Sequence, residues 1–468
     1  MSNANSTAPA SRRGAAQRLS EYRRYWDEDR ETMDPRLREK KIVERIQNQL
    51  RYVYAKVPFY RRHYDAHGFT PDMVTSLEDF TTKVPVITKK MLVADQAEHP
   101  PFGSYLGVER SELTRIHGSS GTMGTPTMYG VSRRDWAGAG KFSCMALWCA
   151  GLRPDDVVHI SFPFTLFFGG WGLLQAAEQL GACTFPVGTM VSTERQIELL
   201  QRLDCDVLVA TPSYVNHLGT TARAHGIDVR ASAISVAVMG GEPGASIPAV
   251  RESLHQLWGE VSLIDLAAGS TSEMYPFTTS MGCLESDGGV HLFQDENYTE
   301  VVSIEDPNEP VPPGTSGAVV ATHLWRDSQP MIRFWTGDEG VIDTEPCPCG
   351  RTYPRMPKGV YGRLDDMLLV RGANVYPSAI ESVVRGVEGS GGEFRIIVDR
   401  PADLDEITVE VERDAALATD RAPALQATLQ EQFKNALGVR VAIRVVEPAT
   451  FEQQTFKARR VIDRRSSS

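Results

Sequence analysis

The chain has 468 residues, with 41% hydrophobic and 23% charged side chains and a net charge of −11. Such a composition is globular and leaves room for about two to four compact units, which excludes disorder over the whole length. An acidic chain with a pI near 5.5 is a poor general binder of nucleic acid or of anionic membranes, although local charge can still hold one small anion.

Residues 1–18 are rich in Ser, Ala, Asn and Arg and read as a disordered tail without the apolar run of a secretory signal. From Leu19 to about Tyr64 the pattern is helical and charge-laced, with Ile42, Ile46, Leu50 and Val53 on one face. The most apolar stretch, Val157–Ala177, carries His159, Ser161 and Pro163 and is a poor membrane span, so a reducing, cytoplasmic setting is expected. Apolar runs at 157–162, 205–210, 234–240 and 261–267 read as strands, separated by helical patterns such as Arg195–Leu203 and Pro248–Trp258. That alternation predicts an α/β fold with a largely parallel sheet. From Gly289 to Asp343 the pattern turns to strands and turns, and a small α+β unit closes the chain. Cys144, Cys149, Cys183 and Cys205 stand singly and are expected as buried thiols. His159, His217 and His255 are expected as structural residues.

Three segments carry chemistry. In the first, residues 117–127, glycines at 118, 121 and 124 alternate with hydroxyl side chains, which suits a loop wrapping its N–H groups around phosphate. It is not a Walker A loop, because Thr125 stands where a lysine would be expected. The second, residues 362–381, runs from a polar turn through a short apolar strand and a second glycine turn to a helix start. The third, residues 454–463, is a basic cluster around Lys457. Taken singly, these read as a flexible turn, a surface hairpin and a solvated tail. His117 precedes the first loop and either lies near the nucleotide or caps the loop.

In this order and spacing the three resemble the adenylate-forming enzyme superfamily, and within it the phenylacetate–CoA ligase family. The resemblance also rests on VPFYRRHY (57–64), GGEPG (240–244), STSEM (270–274), PMIRFWTGD (330–338) and CPCGRTYPR (347–355), and runs from about residue 20 to the end. It implies a large N-terminal adenylate-forming domain with mixed sheets (19–364), a hinge at Asp365, and a small mobile α+β C-terminal domain (365–468). It further implies an ATP-dependent aryl-acid–CoA ligase that works through an acyl-adenylate, with ATP, Mg²⁺ and CoA required and a homodimer as the expected assembly. Transfer to a carrier-protein thiol or an amine is the close alternative, and a non-catalytic nucleotide sensor the distant one.

The resemblance also assigns roles to residues. Ser119, Ser120, Gly121, Thr122 and Gly124 would hold the ATP phosphates, and Gly241, Glu242 and Pro243 would line the adenine pocket. Ser272 would lie near the α-phosphate or carboxylate, and Glu273 would ligate Mg²⁺. Asp338 would take the ribose hydroxyls and Arg363 would contact the nucleotide. Lys457 would reach the acyl-phosphate bridge, and the Gly372 loop would replace it for thioester formation. Phe162, Phe167, Gly169 and Gly170 would form the aryl pocket, with phenylacetate the plainest acid and indoleacetate a larger one. Cys283, His291, Cys347 and Cys349 would hold a closed structural Zn²⁺, with His323 as the alternative nitrogen ligand and metal-free thiols as the runner-up. The chain departs from the family at Thr125, where a lysine is usual, and over Ala268-Gly269-Ser270-Thr271, where an aromatic then Gly is usual before the Ser/Thr-Glu pair.

Overall fold

The computed structural model describes residues 12–464 except 120–126, 167, 243, 267–271, 277, 365–367, 371–372, 376, 400–405, 438–440 and 452–459. Its centre is a five-stranded parallel sheet in the order Cys183–Phe185, Val157–Ile160, Val207–Ala210, Val236–Met239, Ser262–Asp265. Every link between parallel neighbours needs a crossover, and the helices Gly169–Leu180, Thr193–Arg202, Pro212–Ala224 and Pro248–Trp258 supply them. Helices on both faces bury both sides of the strands, so Val207–Ala210 and Val236–Met239 are buried at every position. Their near-continuous apolar sequences follow from that.

A second, mixed sheet pairs Ile87–Thr88, Phe334–Val341, Ser316–His323 and Asn297–Val302, with Val360–Arg363 on the other side of Phe334–Val341. The C-terminal unit has its own sheet, in the order Ala442–Val446, Glu406–Arg413, Ser390–Asp399, Val461–Asp463. The helices Pro377–Gly386 and Ala422–Leu437 cover it, and Ile380, Val384, Phe394, Ile396, Leu429 and Phe433 form its separate core. The expected α/β architecture with a small α+β C-terminal unit is the one observed.

Two expectations are corrected. Residues 12–18 do not behave as a tail: a helix begins at Ala15, and Arg18 is fully buried. Its guanidinium donates to both carboxylate oxygens of Asp156, at 2.9 and 2.8 Å, and to Ser235. One paired buried charge anchors a segment whose composition looks soluble. Cys183, expected inside, is exposed because it opens the edge strand of the parallel sheet, whereas Cys144, Cys149 and Cys205 are buried. Among the described residues, no helix is long and apolar enough to cross a membrane.

Candidate functional site

Strands Leu113–Gly118 and Met128–Ser132 pair antiparallel and hold the two ends of the glycine-hydroxyl loop. Ser119 closes the loop base: its N–H donates to the Thr127 carbonyl at 3.0 Å, and its hydroxyl accepts from the Thr127 N–H at 3.1 Å. Ser120, Gly121, Thr122, Gly124 and Thr125 lie outside the described residues.

The carboxylate of Glu273 lies against the strand Met128–Ser132 and is almost wholly buried. Tyr129, on the strand leaving the loop, donates its hydroxyl to Glu273 Oε1 at 2.8 Å. Burial and the Glu273 charge hold the Tyr129 phenol protonated, well above its ordinary pKa. Lys89, the first residue of the helix Lys89–Glu98, brings its ammonium to 3.1 Å from the same oxygen. The Glu273 carbonyl accepts from buried Arg326 at 2.7 Å, which fixes the backbone that presents Glu273 and its neighbour Ser272. Sequence reasoning missed Lys89, Tyr129 and Arg326. The only local hint was a pair of lysines opening a helix whose first turn holds no acid.

Three rings stack in series. His117 stacks on Phe168 with centroids 3.7 Å apart, and Phe168 stacks on Tyr275 at 5.8 Å. Burial pushes the His117 pKa down to about 4, and its Nδ1 bonds the Leu166 carbonyl at 3.2 Å, so the ring is neutral at pH 7. Phe162 is buried in the main core, and Phe167 lies outside the described residues. Gly169 and Gly170 open the helix Gly169–Leu180. A Cβ at Gly170 would meet the Phe164 ring at 3.0 Å, so this glycine permits close packing.

At the turn expected to line the adenine pocket, Gly241 has φ +85, a conformation suited to glycine. Glu242 accepts from the Ser213 N–H at 3.3 Å, at the start of the helix Pro212–Ala224. Asp265 fixes the far end of the turn by accepting from the N–H groups of Ala245 and Ser246 at 2.8 and 2.7 Å. Asp338 and Arg363 are direct partners across neighbouring strands, and Arg363 reaches the Asp338 carboxylate at 3.1 Å. Pro243, Asp365, Gly372 and Lys457 lie outside the described residues.

Cys283, His291, Cys347 and Cys349 converge as expected: one ligand atom from each lies within 4.8 Å of all the others, and all four residues are buried. The Sγ atoms of Cys283 and Cys347 are 3.7 Å apart, and Cys349 Sγ is 3.3 Å from His291 Nε2. Zn–S bonds of about 2.3 Å in a tetrahedron set S···S edges of roughly 3.8 Å, so the donor set fits such an ion. His323 is not an alternative ligand: its Nε2 bonds the Met274 carbonyl, and its Nδ1 accepts from the Met331 N–H. Both ring nitrogens are therefore used inside the core.

Residues 372–465 match the family described as AMP-binding enzyme C-terminal domain. The chain is 35% identical to the phenylacetate–coenzyme A ligase of Thermus thermophilus over 438 residues, covering 90% of this chain and 95% of that one. It is 32% identical to the Escherichia coli enzyme of that name over 429 residues, covering 91% and 94%. A crystal structure of 2-hydroxyisobutyryl-CoA ligase in the postadenylation state with an acyl-AMP superposes with a TM-score of 0.90 at 38% identity, covering 95% of this chain and 93% of that one. The same enzyme in its thioesterification state, with 2-HIB-AMP and CoA, superposes at 0.72 and 39% identity, covering 94% and 92%.

Proposed function

The chain belongs to the phenylacetate–coenzyme A ligase family of adenylate-forming enzymes, and on that premise we propose how its residues carry the reaction. It is an ATP-dependent acid–CoA ligase that converts acid, ATP and CoA to acyl-CoA, AMP and pyrophosphate through an acyl-adenylate. The acid's carboxylate oxygen attacks the α-phosphorus and pyrophosphate leaves. Charge concentrates on the phosphates, so the protein must supply fixed positive groups and N–H donors there.

The observation that carries the assignment is the Glu273 carboxylate held by Tyr129 and Lys89 at the base of the glycine-hydroxyl loop. In this reading Ser119, Ser120, Gly121, Thr122 and Gly124 cradle the phosphates. Lys89 swings from Glu273 to a phosphate oxygen and provides the cation that Thr125 does not. Glu273 would hold Mg²⁺, which supplies positive charge against the phosphates when bound. Ser272 lies toward the α-phosphate. Gly241, Glu242 and Pro243 line the adenine site, Asp338 accepts from the ribose, and Arg363 orients Asp338. Lys457 reaches the acyl-phosphate bridge during adenylation. Rotation about Asp365 then exchanges it for the Gly372 loop, and a thiol displaces AMP. Cys283, His291, Cys347 and Cys349 would hold Zn²⁺ as a closed site that contributes folding free energy and leaves no position open for catalysis. A cytoplasmic homodimer completes the proposal.

The proposed acid is an arylacetate, with Phe162 and Phe167 near its ring and phenylacetate the first choice. One observation favours a second reading. Phe168 already fills the space between His117 and Tyr275, which suits a compact acid like that of the 2-HIB-AMP relative. The test is acid-dependent pyrophosphate release with and without CoA, using phenylacetate, indoleacetate and 2-hydroxyisobutyrate. A higher kcat/KM for phenylacetate supports the first reading, and a higher value for 2-hydroxyisobutyrate replaces it with the second. Hydroxamate formation without any CoA thioester would move the acceptor to a carrier protein or an amine.

A further inference from the structure

A half-buried charge cluster occupies the face of the C-terminal unit that meets the N-terminal domain. Glu381 and Arg385 lie one turn apart on the helix Pro377–Gly386, and Arg385 Nε donates to Glu381 Oε1 at 2.9 Å. Arg460 lies 3.7 Å from the same Glu381 oxygen and 3.3 Å from Glu393 Oε2, with its guanidinium 4.2 Å over the Phe394 ring. The Arg460 carbonyl accepts from the Ile396 N–H at 2.6 Å, which starts the pairing of strand Val461–Asp463. Two cations and two carboxylates therefore meet three residues after Lys457. They brace the start of the strand Val461–Asp463.

The same helix packs on Pro248–Trp258 of the N-terminal domain. A Cβ on Gly386, next to Arg385, would sit 3.7 Å from the Ala249 Cβ. The approach places Arg385 where it feels Glu242 of the adenine turn. Burial lowers the Arg385 pKa, but the charges of Glu381, Glu393 and Glu242 outweigh it and keep the guanidinium firmly charged. His217, on the helix that Glu242 caps, likewise feels Glu393 across the seam, although burial lowers its pKa overall. The packing of Gly386 against Ala249 belongs to one arrangement of the two units. At near-equal identity, the chain superposes at 0.90 on the postadenylation state of its relative and at 0.72 on the thioesterification state. Rotation into the second arrangement would separate Gly386 from Ala249.

We propose that Arg385 is a positioning residue for the adenylation half-reaction: through Glu381 and Arg460 it braces the strand that follows Lys457, and its helix, seated on Pro248–Trp258, holds that assembly against the N-terminal domain. The proposal rests on the ligase reading and on Lys457 acting in the first half-reaction. Arg385 touches neither substrate nor the reacting atoms. Its loss shifts the balance between the two arrangements.

Two variants test this. Arg385→Ala removes the bracing cation, and Ala249→Leu wedges the seam from the other side without altering any charge. Both should slow acid-dependent ATP–pyrophosphate exchange by about 5- to 150-fold, the usual span of a coupling between two states. Single-turnover thioester formation from synthetic acyl-AMP should stay within about twofold by the same reasoning, since that step uses the other arrangement. Arg385→Lys should recover part of the exchange rate. Equal losses in both half-reactions, or no loss in either, would overturn the proposal. Absence of acid-dependent exchange in the unaltered enzyme would overturn the ligase reading, and this inference with it.

Discussion

Lys89→Met separates a catalytic cation from a structural one. The Lys89 ammonium lies 3.1 Å from Glu273 Oε1, while the lysine side chain is 47% exposed. At that distance Coulomb's law gives about 1 kcal/mol in a water-like dielectric and about 5 kcal/mol at an effective dielectric of 20. A half-exposed lysine keeps much of its hydration, so the lower figure applies to stability, in line with the roughly 0–1 kcal/mol of exposed pairs. Tyr129 still donates to the carboxylate in the variant, so the buried acid keeps a partner. The thermal midpoint should therefore move by only a few degrees at most. The transition state differs, because charge accumulates on phosphate oxygens inside a loop without its own lysine. Loss of a cation there should slow adenylation by about 10²–10³-fold. The assay is ATP–pyrophosphate exchange at saturating acid, beside thermal unfolding of the same preparation. A fall in the midpoint of ten degrees with exchange nearly intact would refute the reasoning and make Lys89 a structural partner of Glu273.

Cys347→Ser should lower the zinc content of the purified protein below one ion per chain and reduce its stability, because a closed site contributes folding free energy. Elemental analysis finding no zinc in the unaltered protein, prepared without chelators, would reject that site. Arg18→Met should destabilise the N-terminal domain by about 3–5 kcal/mol, since it leaves Asp156 buried with less compensation, and denaturant unfolding measures this. His159 is fully buried, and burial pushes its pKa down to about 4 against the weaker pull of a Gln196 hydrogen bond. The fold therefore holds a neutral ring that the unfolded chain would protonate below pH 6.5, so this contribution is intact above 6.5 and is lost as pH falls toward 4. At pH 5 the loss amounts to about 2 kcal/mol. In His159→Gln the stability difference between pH 7.5 and 5 should shrink by that amount, and an unchanged difference would show that the ring is not held neutral.

The parallel sheet was readable because strands buried on both faces must be apolar throughout, as in Val207–Ala210. The four-donor cluster was readable only through the family resemblance, because Cys347-Pro-Cys349 by itself reads equally well as two unpaired thiols. What stayed hidden depends on long-range geometry. Arg18 looked like part of a solvated tail because its partner Asp156 is 138 residues away. Cys183 looked like the other lone cysteines because strand order decides which strand is an edge. His117 could be placed near the phosphate loop, but its stacking on Phe168 needed the approach of a distant helix start. The roles given to Lys457, Asp365 and Gly372 still rest on resemblance, since those residues lie outside the described part of the chain.

Lys89 also breaks a local rule. Cations are disfavoured in the first turn of a helix, where the backbone dipole is positive, yet Lys89 and Lys90 open the helix Lys89–Glu98 with no acid beside them. Local rules are broken chiefly at functional sites, where a gain elsewhere compensates. The compensation here is Glu273, which arrives from a loop 184 positions away and pairs with this ammonium. A carboxylate meant solely to neutralise a helix end would not need burial, a tyrosine hydroxyl and a backbone fixed by a buried arginine. Those supports hold Glu273 in one orientation whether or not Lys89 is paired with it. The lysine, half in solvent on a flexible stem, is then the movable member. An incoming polyphosphate offers it a stronger partner than the carboxylate, and release of the lysine leaves Glu273 oriented for a hard cation. The absence of a lysine at Thr125 is thus coherent with the proposed site, in which the neighbouring helix would bring the positive charge to the phosphates.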